Sequence, residues 1–434
     1  MTPEVKQRIE QIRQGIVPEG YVKDKDGIYP RDWASKKIGQ WLKLAERSIV
    51  LQDEEEYQLV TIRRGFGGVD SRGSFLGKNV LVKNYFIVKT GDFIISKRQI
   101  AHGACGIVPP ELDGAVVSNE YNVFLPQDGT NIQMFNLMMQ LPHYKRLFYL
   151  MSDGVHIEKL LFKTQDWMKR TLAMPLLKEQ KKIAEILFTQ DKAIELQARK
   201  IEELKRFKKG CLEKMFPRKG QKVPEKRFPG FTDDWEQRKL GEVSKRVIVG
   251  LATSVTPYYR EKGAPILRNL NIKENYLDDT DILFLDRTYA ESQISKQIHA
   301  GDVLTVHTGY IGTSCVVPEK YDKCLTFTTL ITTTDESVLK GAFLAQYLNS
   351  EIGMSAVQAV TTQGGRQNLN TNDFVKVEIR YPSLAEQNKI CTVLSSIDNL
   401  ITLHQHKLEE MKKQKKALMQ LLLTGIAKTK GEVR

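Results

Sequence analysis

A long helical segment occurs twice in this chain. Pro175 to Phe216 reads PLLKEQKKIAEILFTQDKAIELQARKIEELKRFKKGCLEKMF, and Pro382 to Leu423 reads PSLAEQNKICTVLSSIDNLITLHQHKLEEMKKQKKALMQLLL. The copies align without a gap at an offset of 207 residues, and Glu179, Gln180 and Asp191 are among the residues that meet an identical partner. An internal repeat of this length governs the architecture, because each copy must occupy an equivalent place in the fold.

Each copy has the pattern of a long amphipathic helix. A proline opens it, a glutamate lies near its start, lysines and arginines crowd its second half, and no glycine or proline interrupts before Gly210. Apolar positions alternate three and four apart, as in a coiled coil. Two seam positions are polar in both copies, Gln197 with His404 and Lys208 with Lys415. Matched polar layers would fix the register of two paired helices. The alternative is two separate amphipathic surface helices.

We therefore predict that the two helices pair antiparallel as a coiled coil. The residues expected to pair them are Leu187, Ile194, Gln197, Ile201, Leu204, Leu394, Ile401, His404, Leu408 and Met411.

The repeat continues outside the helices. PRDWASKKIGQW around Trp33 reappears as TDDWEQRKLGEV around Trp235, and each is followed by about 140 residues rich in β-branched runs and glycine turns. Both of these stretches contain a strand entered by Gly-Asp, GDFIIS at Gly91 and GDVLTV at Gly301, but elsewhere they differ widely. The fold class predicted is α/β (α+β), with two globular domains alternating with two long helices in a pseudo-twofold, cyclic arrangement.

This organisation gives expected boundaries. We expect an N-terminal helical segment that packs near the C-terminal helix, a first domain, a central long helix, a linker, a second domain, a C-terminal long helix and a tail, at 1–29, 30–174, 175–216, 217–233, 234–381, 382–428 and 429–434.

Composition narrows the class of partner. The chain has 434 residues and a formal net charge of +13, which favours a polyanion such as nucleic acid. Its five cysteines form no CxxC, so neither a disulfide framework nor a zinc finger is indicated. Because no apolar run approaches 18 residues and the first residues do not resemble a signal peptide, we expect no membrane association and a cytoplasmic location.

Taken together, these motifs resemble the specificity subunit of a type I restriction-modification system. The resemblance covers nearly the whole chain and rests on the duplicated P-x-L-x-EQ-x-KI, the entry RFPGFTDDWEQRKLGEV, and GGRQNLNTNDF before the second helix. It implies two target-recognition domains, each reading one half of a bipartite site in double-stranded DNA, held apart by an antiparallel helical spacer.

The resemblance also implies that this chain does no chemistry and binds no cofactor. Two modification subunits would methylate adenine with S-adenosylmethionine, and restriction subunits would act as an ATP- and Mg-dependent motor nuclease. The sequence independently supports the absence of catalysis, because it contains no GxxxxGK[ST], no dinucleotide fingerprint and no metal-ligand spacing among the histidines. Apolar flanks of the helices, Ile183, Ile390 and Leu403, are the expected docking surface for the modification subunits.

Base edges are read by arginine, asparagine and glutamine, while lysines contact phosphates. Three stretches carry such residues, TIRRGFGG and SKRQIAHG in the first domain and ILRNLN in the second, and GGRQNLN and HTGY add further residues in the second domain. The candidate DNA-binding residues are Arg63, Arg64, Lys97, Arg98, Gln99, Arg268, Asn269, Asn271, His307, Tyr310, Arg366, Gln367 and Asn368.

Two other classes of function remain open. A solo DNA methyltransferase or nuclease would need a cofactor or metal fingerprint, and a coiled-coil scaffold without DNA function would not need two divergent basic domains. Salt-dependent DNA binding separates the scaffold from the specificity subunit.

The length of the helices suits a spacer. About 42 helical residues span roughly 60 Å, enough to hold two domains over half-sites one DNA turn apart.

Overall fold

A computed structural model describes residues 2–24, 27–154, 160–218, 220–361 and 368–429. The chain forms two compact units, Met1–Leu196 with Glu409–Arg434, and Gln197–Leu408. Both long helices contribute to both units.

In the part of the chain that the structure describes, no helix is long and apolar enough to cross a membrane.

The first unit is a mixed α and β structure. Its strands are β1 Tyr21–Asp24, β2 Gly27–Pro30, β3 Ala34–Lys37, β4 Leu42–Leu44, β5 Ser48–Val50, β6 Glu56–Ile62, β7 Val69–Leu76, β8 Asn84–Ile87, β9 Phe93–Ser96, β10 Cys105–Ile107, β11 Val116–Ser118, β12 Tyr121–Pro126, β13 Ser152–Asp153, β14 Leu161–Phe162 and β15 Thr171–Met174. Its helices are α1 Pro3–Arg13, α2 Ile38–Trp41, α3 Ile132–Met139, α4 Pro142–Leu150, α5 Thr164–Met168 and the start of α6 Leu177–Met215.

The second unit is also a mixed α and β structure, built from corresponding elements. Its strands are β16 Glu236–Lys239, β17 Ser244–Val249, β18 Tyr259–Arg260, β19 Ala264–Arg268, β20 Ile272–Lys273, β21 Tyr276–Leu277, β22 Leu283–Leu285, β23 Val303–Val306, β24 Ser314–Val316, β25 Leu325–Phe327, β26 Thr329–Thr334 and β27 Glu378–Tyr381. Its helices are α7 Arg287–Ser292, α8 Gly341–Leu348, α9 Glu351–Val360, α10 Thr371–Phe374 and most of α11 Leu384–Leu423.

The sheets of the two units have the same plan. A four-stranded antiparallel sheet is ordered β10-β9-β12-β4 in the first unit and β24-β23-β26-β17 in the second. A second sheet in each unit contains one parallel pair, β6 with β11 and β19 with β25. The predicted class, two repeated α+β domains with long helices, is confirmed.

The Gly-Asp that enters the central strand has a structural role in both units. Gly91 and Gly301 have φ values of +86° and +92°, which favour glycine. The aspartates that follow are almost fully buried: Asp92 pairs with Arg47, and Asp302 pairs with Arg246 at 3.1 Å. Burial raises the pKa of Asp92, although hydrogen bonds from the Lys89 backbone amide and Arg47 oppose the shift. The two units therefore place an equivalent, arginine-paired aspartate at the start of an internal strand.

The predicted helical seam coincides with the least exposed side of both long helices. Leu187, Gln197, Ile201 and Leu394 are buried. The other members proposed to pair the helices are partly buried, namely Ile194, Leu204, Ile401, His404, Leu408 and Met411. Their alternation with exposed neighbours follows the three-four spacing, because one face of each helix is covered.

Polar contacts show that α6 and α11 pair antiparallel within each unit. In the second unit, the Gln197 Nε2 atom lies 2.8 Å from both the Nδ1 atom and the backbone oxygen of His404. In the first unit, the Gln190 amide donates to the backbone oxygen of Met411 at 3.5 Å. The predicted pairing, and the polar layer of Gln197 with His404, are thereby confirmed.

The two lysines of the second predicted polar layer each pair with an aspartate on the other long helix. Lys208 forms an ion pair with Asp398 at 2.6 Å in the second unit, and Lys415 forms one with Asp191 at 2.5 Å in the first. Lys208 and Lys415 are 207 residues apart, and so are Asp191 and Asp398. The same interhelical ion pair is therefore made twice, once in each unit. The sequence contained this signal, because the aspartate is identical in both copies.

The duplicated glutamine of each EQ motif docks its helix onto its own domain. Gln180 accepts from the backbone amide of Asn131 at 2.7 Å and donates to the oxygens of Gly129 and Pro175. Gln387 repeats these bonds with Lys340, Val338 and Pro382. Both glutamines are fully buried. The most specific sequence motif of the repeat thus serves the fold.

Replacing Gln387 with alanine is expected to destabilise the second unit by about 2 kcal/mol. The change leaves the Pro382 carbonyl, which is buried, and the partly buried Lys340 amide and Val338 carbonyl without their partner. A buried group that stays dry costs about 1–3 kcal/mol, and water can reach the partly buried ones. Equilibrium urea unfolding measures the loss. Gln414→Ala, at an exposed site on the same helix, is the matched control and is expected to change the stability by less than about 0.5 kcal/mol.

The segment between α6 and β16 packs on the second unit. Arg227 makes a bidentate ion pair with Glu386, which is 1% exposed, at 2.9 and 2.6 Å. Phe228 packs against the core of the same unit. The residues interpreted from composition as a linker are therefore held in place where the structure describes them.

The end of the chain contacts its beginning within the first unit. Arg8 on α1 donates to the backbone oxygen of Ile426 at 3.0 Å, and the Tyr21 hydroxyl donates to that of Gly425 at 2.7 Å. Lys428 pairs with Asp32 at 2.6 Å. These contacts tie α1 and the first hairpin to the residues that follow α11.

Two residues expected to face a partner are buried. Ile183 is 0% exposed and Ile390 is 2% exposed, each within the core of its own unit. The prediction that they form a docking flank is wrong, because the helix side that carries them covers its own domain. Leu403 is 64% exposed, and its repeat equivalent Leu196 is 63% exposed.

Candidate nucleic-acid interface

The two candidate stretches of the first unit meet at adjacent strand ends. Arg63 and Arg64 follow β6, in the turn that leads to β7, and the SKRQ stretch follows β9. The Gly65 amide donates to the backbone oxygen of His102 at 2.7 Å, and the Phe66 amide donates to that of Gly103 at 2.8 Å. The hairpin tip is thus joined to the turn after β9, and both basic stretches lie on one edge of the unit.

The side chains at this edge are mostly exposed. Arg63 is 63% exposed and pairs with Asp70 at 2.6 Å, and Arg64 is exposed. Arg98 is 52% exposed and pairs with Glu120 at 2.7 Å. Exposed ion pairs of this kind contribute little to stability, so DNA can compete for the arginines at low cost.

Lys97 and Gln99 are half-buried. The Lys97 backbone bonds to the backbones of Glu120 and Phe162, and the Gln99 backbone oxygen accepts from the His102 and Ala104 amides. Their backbones shape the turn that presents Arg98.

The second unit presents loops at the equivalent strand ends. Asn269 follows β19, as Arg63 follows β6, and His307 follows β23, as Lys97 follows β9. Asn269 and Tyr310 line one cleft of about 1090 Å³ within this unit. The tertiary fold therefore gathers the two stretches of each domain at the same topological position.

Asn271 has a different role from the one predicted. It is fully buried, its Oδ1 atom accepts from the Arg268 backbone amide at 2.9 Å, and its Nδ2 atom donates to the backbone oxygens of Asp278 and Asp281. A side chain in this position closes the loop and does not reach a base. The expectation that Asn271 binds DNA is therefore corrected.

Arg268 is partly committed to the same loop. Its Nη2 atom donates to the side chain of Asp281 at 2.8 Å and to the Asp281 backbone oxygen at 2.9 Å, and its side chain is 22% exposed. Among the polar residues of the ILRNLN stretch, Asn269 is the one that lines the cleft, and its side chain makes one hydrogen bond, accepting from Thr329 Oγ1 at 3.2 Å.

His307, Tyr310 and Asn368 belong to one loop cluster. His307 Nδ1 lies 2.7 Å from Asn368 Oδ1, and the Leu369 amide donates to the His307 backbone oxygen at 2.9 Å. Tyr310 is 88% exposed at the tip of this loop. The other two candidates of the GGRQNLN stretch, Arg366 and Gln367, lie outside the residues that the structure describes.

Further residues of the cleft lie outside the predicted set of DNA-binding residues. Lys273, Asn275 and Tyr276 line it after the ILRNLN stretch, and Lys205 and Lys209 line it from α6. Partial burial raises the pKa of Tyr276, and the nearby carboxylates of Asp278 and Glu274 add to the shift. NIKENY, which directly follows ILRNL, contains the same residue types as the predicted stretches and is the signal that identifies them.

The possible metal ligands and the cysteines in the described part of the chain give no indication of other chemistry. There, no group of three or more histidine, cysteine, aspartate or glutamate side chains could hold a metal. The cysteines are unbridged, and burial raises the pKa of Cys391 to about 12 and of Cys324 to about 11, which suppresses the reactive thiolate.

Two domains of one fold that present different polar and basic side chains at the same strand ends define a duplicated nucleic-acid recognition protein. A family model described as "Type I restriction modification DNA specificity domain" matches residues 30–206 and again residues 232–413. The chain belongs to this family of type I restriction-modification specificity proteins.

Two related proteins are similar in sequence to this chain over nearly their full lengths. The putative type I restriction enzyme MjaX specificity subunit of Methanocaldococcus jannaschii is 26% identical over 447 residues, covering 95% of this chain and 97% of that protein. The type I restriction enzyme MjaVIII specificity subunit of the same organism is 23% identical over 431 residues, covering 93% and 94%.

Solved structures share the fold. A chain from "Structural basis underlying complex assembly and conformational transition of the type I R-M system" has a TM-score of 0.58 at 18% identity, covering 92% of this chain and 99% of that one. The type I restriction-modification S subunit from M. genitalium has a TM-score of 0.55 at 12% identity, covering 90% and 96%. The chain is thus a DNA specificity subunit, which recognises the target and is not the catalytic component, and subunits of this class assemble with other restriction-modification subunits and DNA.

Proposed function

We propose that each domain reads one half of a bipartite DNA sequence through the two loops at its strand ends. In the first domain these loops carry Arg63, Arg64 and Lys97 to Gln99. In the second they carry Asn269, His307 and Tyr310, and the segment after α9 adds Asn368. Arg366 and Gln367, which precede Asn368 in the sequence, stay candidates. The observation that carries the proposal is the equivalence of the loops: the strand ends are the same in both domains, while the side chains differ. Equivalent positions with different side chains suit a protein that reads two different half-sites.

We further propose that α6 and α11 set the distance between the half-sites. Each helix has about 40 residues, so each is roughly 60 Å long. The Gln197–His404 layer and the repeated Lys–Asp pairs supply a defined register for the pairing. A rigid spacer with a fixed register is what a constant gap between half-sites requires.

The proposed partners follow from this role. Two modification subunits would methylate adenine with S-adenosylmethionine at the sites that this chain selects, and restriction subunits would add ATP- and Mg-dependent cleavage. Leu196 and Leu403 are equivalent in the repeat and similarly exposed, which suits two copies of one partner. Native co-purification tests the partners, and isolation of the chain with no partner from its own cells would contradict this part of the proposal.

Genome-wide mapping of methylated adenine, with and without this gene, tests the proposal as a whole. The wild-type cell should show one bipartite motif that disappears when the gene is deleted. Methylation that persists unchanged would contradict the role proposed here.

The double substitution Asn269→Ala with His307→Ala is expected to impair recognition of one half-site only. A good base contact contributes about 1–3 kcal/mol of discrimination, so each lost contact should reduce the methylation rate on the cognate half-site about 5- to 150-fold. The readout is the methylation rate of the purified complex on DNAs altered in one half-site at a time.

The matched variant in the first domain is Arg98→Ala with Gln99→Ala, which should relax the other half-site. Asn271→Ala serves as a folding control, because its amide closes a loop and should affect stability more than base preference. A double substitution in one domain that relaxed both half-sites equally would contradict the division between domains.

A further inference from the structure

Tyr310 is the most exposed of the large aromatic side chains that the structure describes, at 88%. It lies in the short loop between β23 and β24, where Gly309 and Gly312 both have φ near +90°. Glycine adopts this backbone conformation without strain, so the loop can turn sharply on either side of the tyrosine. The ring therefore lies at the tip of a tight loop, exposed at the mouth of the cleft that it lines.

The loop that carries Tyr310 is braced from within. The Val306 amide donates to the Thr313 oxygen and the Gly312 amide donates to the Val306 oxygen, each at 2.9 Å. A Cβ atom at Gly312 would lie 3.0 Å from the Sδ atom of Met354, so the loop also rests closely on α9. The ring is therefore presented on a fixed support.

A second segment holds the base of the same loop. Asn368 Oδ1 lies 2.7 Å from His307 Nδ1 and accepts from Thr308 Oγ1 at 3.1 Å. The Leu369 amide donates to the His307 oxygen at 2.9 Å. Because the loop is held from two sides, a ligand meets an aromatic residue whose backbone has already been ordered, which lowers the entropic cost of contact.

The cleft around Tyr310 carries balanced charge, so the exposed aromatic ring is its most distinctive binding feature. Its lysines, Lys205, Lys208, Lys209 and Lys273, are matched in number by the carboxylates Glu213, Glu274, Glu351 and Asp398. A cleft with balanced charge does not by itself attract phosphate strongly. An aromatic ring can instead stack on the face of any base.

We propose that Tyr310 stacks between neighbouring bases at the half-site read by the second domain, and so acts as a wedge that unstacks one base step. The inference rests on the proposed function, because the loop follows the strand end assigned there to DNA reading. Side chains that enter a base step exchange stacking between bases for stacking on the protein, and the duplex is deformed locally.

The first unit lacks such a ring at the equivalent place among its described residues. The turn after β9 runs through Ile100–His102 and carries no aromatic ring other than that of His102. The nearby Phe66 is turned inward, where a Cβ atom on Gly103 would lie 2.9 Å from its ring. The deformation should therefore affect one half-site and leave the other in regular geometry.

The test uses the assembled modification complex and DNA that carries 2-aminopurine, which fluoresces more strongly when unstacked. With the analogue at successive positions of the second-domain half-site, wild-type protein should raise the fluorescence at one step. Tyr310→Ala should abolish that rise and weaken specific binding about 5- to 150-fold, the equivalent of 1–3 kcal/mol per stacked base. Tyr310→Phe should retain both properties within about twofold.

The controls separate the possible failures. Tyr149→Ala removes a 52% exposed tyrosine of the first unit and should change neither signal. A Tyr310→Phe variant as impaired as Tyr310→Ala would overturn stacking in favour of a hydroxyl contact. Normal DNA binding with impaired assembly of Tyr310→Ala would overturn it in favour of a protein contact. If wild-type complex does not distinguish its mapped site from random DNA, the proposed function itself fails.

Discussion

A matched four-residue insertion in both long helices is expected to leave both half-sites unchanged and to widen the gap between them by about two base pairs. One insertion lies between Lys200 and Ile201, and the other between Ile401 and Thr402. Each adds about 6 Å, and one DNA turn of 10–10.5 base pairs spans about 34–36 Å. Methylation at the original sites should disappear, because the correct half-sites no longer have the correct spacing.

The choice of positions follows from the contacts between the helices. Both insertions fall between the Gln197–His404 layer and the Lys208–Asp398 ion pair. Lengthening both helices together preserves these contacts, and four added residues are accommodated in a heptad seam by local unwinding. Insertion in α6 alone should instead displace Lys208 from Asp398 by about 6 Å and destabilise the second unit.

Methylation mapping in cells that express the variant reads the outcome directly. The substitutions proposed for the reading loops provide the reciprocal control, because they should change a half-site and leave the gap alone. An insertion that altered the bases within a half-site, or left the gap unchanged, would contradict the role of the helices as spacer.

Replacing Asp302 with alanine is expected to lower the free energy of unfolding of the second unit by about 3 kcal/mol. Asp302 is 2% exposed and accepts from Arg246 at 3.1 Å, from Thr333 at 2.6 Å and from the His299 amide at 2.9 Å. Removing one member of a buried ion pair typically costs about 3–5 kcal/mol, since the other charge is left without compensation. Arg246 retains 27% exposure, which places the expected loss at the lower end.

Urea unfolding, together with amide hydrogen exchange to separate the two units, measures this effect. Asp92→Ala should produce a similar loss confined to the first unit, because Asp92 pairs there with Arg47. Asp234→Ala is the control: its carboxylate is 62% exposed and pairs with Lys222 at 3.1 Å, so about 0–1 kcal/mol is expected. If Asp302→Ala costs no more than Asp234→Ala, the buried pair does not stabilise the second unit.

The long helices show how much a repeat can predict. Identity at a constant offset, with apolar positions three and four apart, predicted both helices, their pairing and the Gln197–His404 layer. Periodicity has this power because a helix that buries one face must repeat its apolar residues every 3.5 to 3.6 positions. The partner of Lys208 was not predicted, since a polar seam residue can find its counter-charge one turn away on the other helix.

The loops proposed to read DNA show where the sequence pattern stops being informative. TIRRGFGG and ILRNLN look alike in sequence, and the fold does bring both to equivalent strand ends. Within ILRNLN, however, Asn269 faces the cleft while Asn271 is buried against the backbone of its own loop. The same amide group serves both purposes, and residue type alone cannot distinguish them.

The sequence by itself determined the duplication, the two mixed domains, the helical seam and the family, because these depend on order and periodicity along the chain. Only the tertiary structure decided the side chains' partners: Gln180 and Gln387 dock helices, Ile183 and Ile390 enter cores, and Tyr310 stands exposed. The physical reason is that a polar or apolar side chain satisfies its needs through whichever group lies within a few ångströms, and residues distant in sequence supply that group.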